Sequence, residues 1–428
     1  MHVVIITPKF IPNAETGGAA LYNLSLIRQL LDQCHQVTLI HFDSLQYNPL
    51  YPQAAEDLSR LGVRVLSFRN PLPDSHPRLF YRLEDSFPTR RLAAQVVPVL
   101  QELHPDLIFC YGEDGLAATH GLNGIPVAVQ LGDPMHLIQL IRWQYDIFWG
   151  YPFGINLETL KWPWRLLYSG METLPRVWAY LRNLKTLLEK TSLLVTVIPQ
   201  QVRRYEKLSG KKCHFTPVAL PDTVGPNWES KRAAFSKVKK ERAKILWVGK
   251  LGNTENRYAI LFFVRQLYPE MVKKLGQGNF EVHFVGNPRN CPVELTRLAG
   301  ANPQIIIHGH VPDIEAEFLS SDVYLVTNTT TLGARTRILS SFASGSCVVA
   351  HIANTVGVPA LRHRENALIG RNAPEIAELI AEALANPELR LQLGRNGRKV
   401  FENQYQMKKA AQELVELFET TIAAGAKG

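Results

Sequence analysis

Short runs of unbroken apolar residues alternate with longer stretches whose apolar residues fall at helical spacing, and the chain does this twice. The first run, Val3 to Ile6, has no polar side, as a strand covered on both faces requires. A loop reaches to Gly18. A helix is predicted over about 19–33, with Leu21, Leu24, Ile27 and Leu30 on one side, and then a strand over 37–40. Further strands are expected at 63–68, 106–110, 126–131 and 193–198, with a helix at 91–103. From about 225 to 243 the chain is polar and basic with few large apolar residues, as a linker would be. The alternation then restarts, with strands expected at 244–249, 280–285, 305–307, 323–326 and 347–349. Helices are expected at 259–274, 375–384 and 387–404, and an amphipathic segment at 407–422. Alternation of this kind implies α/β structure with parallel, doubly wound sheets. Ligands are then expected beyond the carboxyl ends of the strands, in a cleft where two such domains face each other.

The chain has 428 residues, too many for one ordinary core, so two domains are expected. Apolar content of 46% with 20% charged residues is that of a soluble globular protein. A formal charge of +9 points to anionic partners. The five cysteines are scattered and form no Cys-x-x-Cys pair. A disulfide framework or zinc site is therefore not expected, and a reducing cytoplasm fits. The opening residues read as a first strand, not as a signal peptide, and no apolar run is long enough to span a bilayer.

Residues Gly333 to Gly345 read as a loop, a short helix and a glycine stop. Arg335 and Arg337 fall in the expected first turn. A helix N-terminus already carries partial positive charge, so cations there are unfavourable unless an anion joins them. Two arginines beside free backbone N–H groups therefore read either as an anion site or as two solvated surface residues.

Several segments in this order resemble a known family. They are Pro8-Lys-Phe-Ile-Pro12 with Gly17-Gly18; Ile245-Leu-Trp-Val-Gly-Lys-Leu251; Val282-His-Phe-Val-Gly286; His308-Gly-His-Val311; Gly333 to Gly345; and Arg364-Glu-Asn-Ala-Leu368. Together they resemble GT-B glycosyltransferases of the family 4, or group 1, type. The resemblance implies two Rossmann-like domains: 1–224, with an aromatic and basic insertion at about 135–185, and 244–406, joined by the linker 225–243. It also implies a last helix, 407–428, that returns to the first domain. The second domain would bind a nucleotide-diphosphate sugar and the first would bind the acceptor. The reaction would retain anomeric configuration and need no metal or other cofactor.

In this resemblance Lys250 and Arg335 meet the diphosphate, and Arg337 takes the place of a lysine. Gly17 and Gly18 let backbone approach the phosphates, Gly333 belongs to the donor site, and His310 and Val311 line the base pocket. The chain departs from the family pattern at several positions. Leu332 and Ser340 stand where many members carry two glutamates, the second of which holds the ribose. Ser340 can offer one hydrogen bond but no bidentate carboxylate. Asn256 stands where a second basic residue is usual, with Arg257 beside it. Gly132 replaces a histidine, while Asp133 remains, either to orient or deprotonate an acceptor hydroxyl or to cap its loop.

Aromatic and basic residues interleave from Arg142 to Arg165, and 231–244 is basic. These stretches suit a peripheral membrane contact, at the inner face, and a lipid-linked acceptor, or alternatively a helical insertion covering the first domain. No nucleic-acid module is recognisable. The expected activity is transfer of a sugar to a hydroxyl of a glycan, lipid-linked sugar or small molecule. The alternative is a non-catalytic scaffold or regulatory subunit with a degenerate donor site.

Overall fold

A computed structural model describes residues 1–8, 10–14, 18–43, 53–69, 88–149, 162–236 and 241–425. The chain divides into two compact units, Met1–Val218 with Met407–Gly428, and Ala219–Gln406.

The first unit holds strands β1 (His2–Thr7), β2 (Gln36–Asp43), β3 (Arg64–Arg69), β4 (Leu107–Tyr111), β5 (Val127–Leu131), β6 (Leu193–Thr196) and β7 (Cys213–Phe215). They form one parallel sheet in the order β3-β2-β1-β4-β5-β6-β7. Val3 to Ile6 are fully buried, which is why no polar residue interrupts them. The final helix, Met407–Gly425, packs on the helix Gly18–Asp32 of this unit. Its Phe418 ring lies 5.3 Å from that of Phe109 in β4. The insertion holds two helices, Met135–Trp149 and Trp162–Leu188, packed on each other.

The second unit holds β8 (Ala243–Val248), β9 (Phe280–Val285), β10 (Ile305–Gly309), β11 (Val323–Val326), β12 (Val348–His351) and β13 (Leu368–Gly370). They form a parallel sheet in the order β10-β9-β8-β11-β12-β13. The expected helix 259–274 is longer, running from Thr254–Phe262 through a π-helical turn, Phe263–Leu267, into Tyr268–Leu275. The short strands β7 and β13 have too few residues to show a pattern in the sequence.

The stretch read as a linker differs from expectation. It contains a helix, Trp228–Ser236, that belongs to the second unit. Trp228 is buried with Val224 and Leu319 and packs against Gly345. Arg232 donates to the carbonyls of Phe318 and Ser321 and to the Ser346 hydroxyl. One tryptophan and one arginine hold this segment down despite its polar composition. A second arginine, Arg398, is 2% exposed and forms a bidentate pair with Asp222. It also donates to the Ala343 carbonyl at 2.6 Å, which neutralises the C-terminal end of the helix Thr336–Ala343.

Candidate functional site

In the second unit the direction of strand winding reverses between β8 and β11, which pair directly, Val323 with Ile245 and Tyr324 with Leu246, although 78 residues separate the partners in sequence. This reversal makes the carboxyl ends of β8 and β11 the expected ligand position in such a sheet. Lys250 lies just beyond β8 and is exposed. Its loop is tied to its neighbours by backbone bonds. Gly249 donates to Val285 O at 2.9 Å, Leu251 to Asn287 O at 3.1 Å, and Gly286 to Gly309 O at 2.7 Å. The bond from Gly286 brings in the loop after β10, where His310 is exposed and Val311 partly buried.

Asn256 is joined to the same loop, since its amide donates to the Lys250 carbonyl at 2.9 Å. Asn328, beyond β11, donates to Asn256 Oδ1 at 3.4 Å, and Asn354 donates to Asn328 O at 3.0 Å. Asn328 and Asn354 were not singled out in the sequence, although each closely follows an apolar strand run. They link the loops after β8, β11 and β12. The carboxyl ends of neighbouring parallel strands are thus held together by side-chain amides.

Arg335 and Arg337 stand at the start of Thr336–Ala343, as the sequence places them, except that Arg335 lies just before the first turn. Arg335 has φ 48° and ψ 48°, a left-handed conformation costly for a residue with a Cβ. Its guanidinium donates to the Thr330 carbonyl at 2.6 Å and to the Thr330 hydroxyl at 3.2 Å. Arg337 is partly buried, and burial lowers its pKa, offset in part by Tyr324. Among the described residues Arg337 has neither a hydrogen bond nor an ion pair. Burial raises the Tyr324 pKa strongly, and the Arg337 and Arg335 cations oppose it. Gly333 is exposed with φ 85°. Leu332 is buried, and the Ser340 hydroxyl turns back to the Thr336 carbonyl at 3.4 Å.

His308 bonds to His283 at 2.9 Å and stacks on it, and His283 contacts Glu281 at 3.2 Å. Burial lowers the His283 pKa, with Glu281 opposing. Among the described residues no three His, Cys, Asp or Glu side chains group as a metal site would need.

In the first unit, Gly18 opens the helix after β1, while Gly17 lies outside the described residues. Asp133, beyond β5, accepts from Gln201 at 2.8 Å, and Gln201 accepts from Arg204 at 3.1 Å. The Tyr205 hydroxyl donates to the Gly132 carbonyl at 2.9 Å. Tyr180 donates to Glu113 and accepts from the Met135 N–H at 3.1 Å. A buried polar cluster therefore surrounds the Gly132–Asp133 turn, and Glu113, Tyr180 and Gln201 are members that sequence reading missed.

His136 belongs to the same region. It is buried, and its Nδ1 has no hydrogen-bond partner. Burial, followed by Arg204, lowers its pKa to about 4. An unfolded histidine titrates near pH ~6.5, so between these values the unfolded chain binds the extra proton. This contribution is complete above the unfolded pKa and is lost as pH falls through the window, by about 3 kcal/mol in all. Replacing His136 by Gln should flatten the acid side of the stability profile, measured by urea unfolding at successive pH values. An unchanged profile would show that another group governs acid sensitivity.

The expected membrane features fare differently. Most side chains of the aromatic stretch from 142 to 165 lie outside the described residues. Of the basic stretch 231–244, Lys237, Lys239 and Lys240 lie outside the described residues, and the other basic residues are engaged inside their unit. Lys231 donates to Val224 O, Arg232 is bonded as above, Arg242 pairs with Glu281 and Lys244 with Glu317. No helix among the described residues is long and apolar enough to cross a membrane.

Residues 242–386 match a family model described as glycosyl transferases group 1. No curated protein sequence matches the chain. Solved structures do resemble it along nearly its whole length. Sucrose-phosphate synthase from Thermosynechococcus elongatus is 15% identical, with 99% of each chain covered and a TM-score of 0.67. HepE from Anabaena, in complex with UDP, is 15% identical, covering 98% of this chain and 100% of that one, with a TM-score of 0.66. A glycosyltransferase from Rickettsia africae is 13% identical, with 98% of each covered and a TM-score of 0.64. At this identity the likeness establishes fold, and the family model adds the second unit. The chain has the GT-B fold, and its residues 242–386 are similar to the glycosyl transferases group 1 family.

Proposed function

We propose that this protein transfers a hexosyl group from a nucleotide-diphosphate donor to a hydroxyl of a glycan, lipid-linked sugar or small-molecule acceptor. The observation that carries this reading is Arg337, a partly buried cation with no partner among the described residues, beside the strained Arg335 at a helix N-terminus. An anion would answer that charge and join the helix N-terminus. Related folds have been solved with UDP, with UDP and glucose, and with UDP-glucose, in HepE from Anabaena. A UDP-sugar is therefore the proposed donor.

In the proposed reaction the bond between the anomeric carbon and the diphosphate breaks, with its electron pair leaving on the diphosphate. Arg335, Arg337, Lys250 and the helix N–H groups meet that charge without a metal. His310 and Val311 border the base, and Ser340 offers a single hydrogen bond to the ribose. The acceptor oxygen forms the new bond and loses its proton, with Asp133 orienting the acceptor on the first unit. Configuration at the anomeric carbon is retained. Five free cysteines fit a cytoplasmic site of action.

Thermal unfolding of the full chain with UDP, GDP, ADP and TDP, and with their sugar conjugates, tests the donor. UDP and a UDP-sugar should raise Tm, and Arg337→Ala should abolish the rise. A lack of any shift with every nucleotide would leave the scaffold reading, for which Leu332 and Ser340 already speak.

A further inference from the structure

We propose that the helix Trp162–Leu188 docks on an anionic lipid surface through one of its faces. Among the described residues, large exposed apolar side chains are mostly single, as is usual. Three break that pattern: Met171 is 70% exposed, Leu174 54% and Trp178 65%, all on this helix. Their spacing of three and then four residues puts them on one side. The opposite side, with Tyr180, Leu184, Leu187 and Leu188, is buried in the core of the first unit. The exposed side therefore does not stabilise the fold.

Further along the same face the character changes. Arg182 lies 5.7 Å above the Trp178 ring, and Lys185 follows at helical spacing. Among the described side chains, the exposed ones from Met171 to Lys185 include no acid. The face therefore offers an apolar patch with a tryptophan, continued by two cations, on a chain of net charge +9. An anionic bilayer meets both parts at once. Its interface accepts Met, Leu and Trp, and its headgroups accept the arginine and lysine. A second copy of the same face would meet the patch with apolar residues but bring only further cations to Arg182 and Lys185. The charge pattern thus favours lipid over self-association. This inference does not depend on sugar transfer, since it concerns a surface and its test uses no donor.

The test is co-sedimentation of the full chain with vesicles of phosphatidylcholine mixed with phosphatidylglycerol, and with phosphatidylcholine alone. Binding is expected to the mixed vesicles and to weaken with salt. Replacing Leu174 and Trp178 together by Glu should weaken it roughly a hundredfold, since two apolar side chains are withdrawn and two like charges added. Replacing Arg182 and Lys185 together by Gln should weaken it about tenfold. These side chains face solvent, and an unchanged Tm would confirm that each variant folds. Several results would overturn the proposal: absence of binding, equal binding to both vesicle types, or binding untouched by either pair of substitutions. Sedimentation velocity in the absence of lipid gives one more, a dimer that either pair dissociates, which would assign the face to a second copy.

Discussion

Arg335→Ala should lower turnover by about two to three orders of magnitude, the usual cost of deleting one preorganised donor to a developing oxyanion. The loss is expected mainly in kcat, because charge on the diphosphate grows as the glycosidic bond breaks. Arg335→Gly should lose as much activity but differ in stability. Arg335 occupies φ 48°, where a Cβ is costly and glycine is at ease. The Gly variant should therefore be more stable than the Ala variant by about 1 kcal/mol, read from urea unfolding. Both variants lose the bonds to Thr330, so that loss cancels in the comparison. Full turnover in Arg335→Ala, measured as nucleoside diphosphate release, would mean that this loop does not meet the leaving group.

Gly286→Ala should be among the most damaging substitutions in the second unit. Gly286 has φ 143°, and a Cβ built on it would stand 1.9 Å from the Gly249 carbonyl oxygen. That carbonyl belongs to the residue before Lys250, and the Gly286 N–H holds the loop leading to His310. A methyl group must push these loops apart. The expected loss is about 3 kcal/mol or more, combining overpacking with an unfavourable φ. Gly278→Ala is the control. Gly278 also has a positive φ, 94°, but an added Cβ would meet nothing within 4 Å. It should cost about 1–2 kcal/mol from backbone strain alone, and leave nucleotide-induced stabilisation intact. Equal losses in the two variants would show that the close approach to Gly249 carries no special weight.

The periodicity of the chain was legible because it is local. A strand buried on both faces is mostly apolar, so β1, β4, β8 and β11 appear in the sequence as short apolar runs, and β5 as one broken only by Gln130. A helix that covers a sheet must repeat its apolar residues at helical spacing, so the longer helices appear as well. The linker reading misjudged 225–243 because it weighed composition. Trp228 and Arg232 are two residues in a polar stretch, and only their partners, Gly345 and the Phe318, Ser321 and Ser346 region, reveal what they do. The basic residues of the same stretch read as a surface patch for the same reason, and the carboxylates that engage Arg242 and Lys244 come from other elements.

The sequence by itself determined the α/β class, the doubling of the strand–helix pattern and the positions of Lys250, Arg335 and Arg337 beside strand ends. These follow from nearest neighbours along the chain. Tertiary structure alone decided which strand ends adjoin, and so which loops share a site. It revealed the amide chain from Asn256 through Asn328 to Asn354, whose members lie 72 and 26 residues apart. It also showed that Arg337 keeps an unanswered charge while Arg398 and Arg232 are fully engaged, although all three are arginines in helices. The physical reason is that burial and pairing depend on what the fold brings near, and an isolated side chain carries no record of its partner.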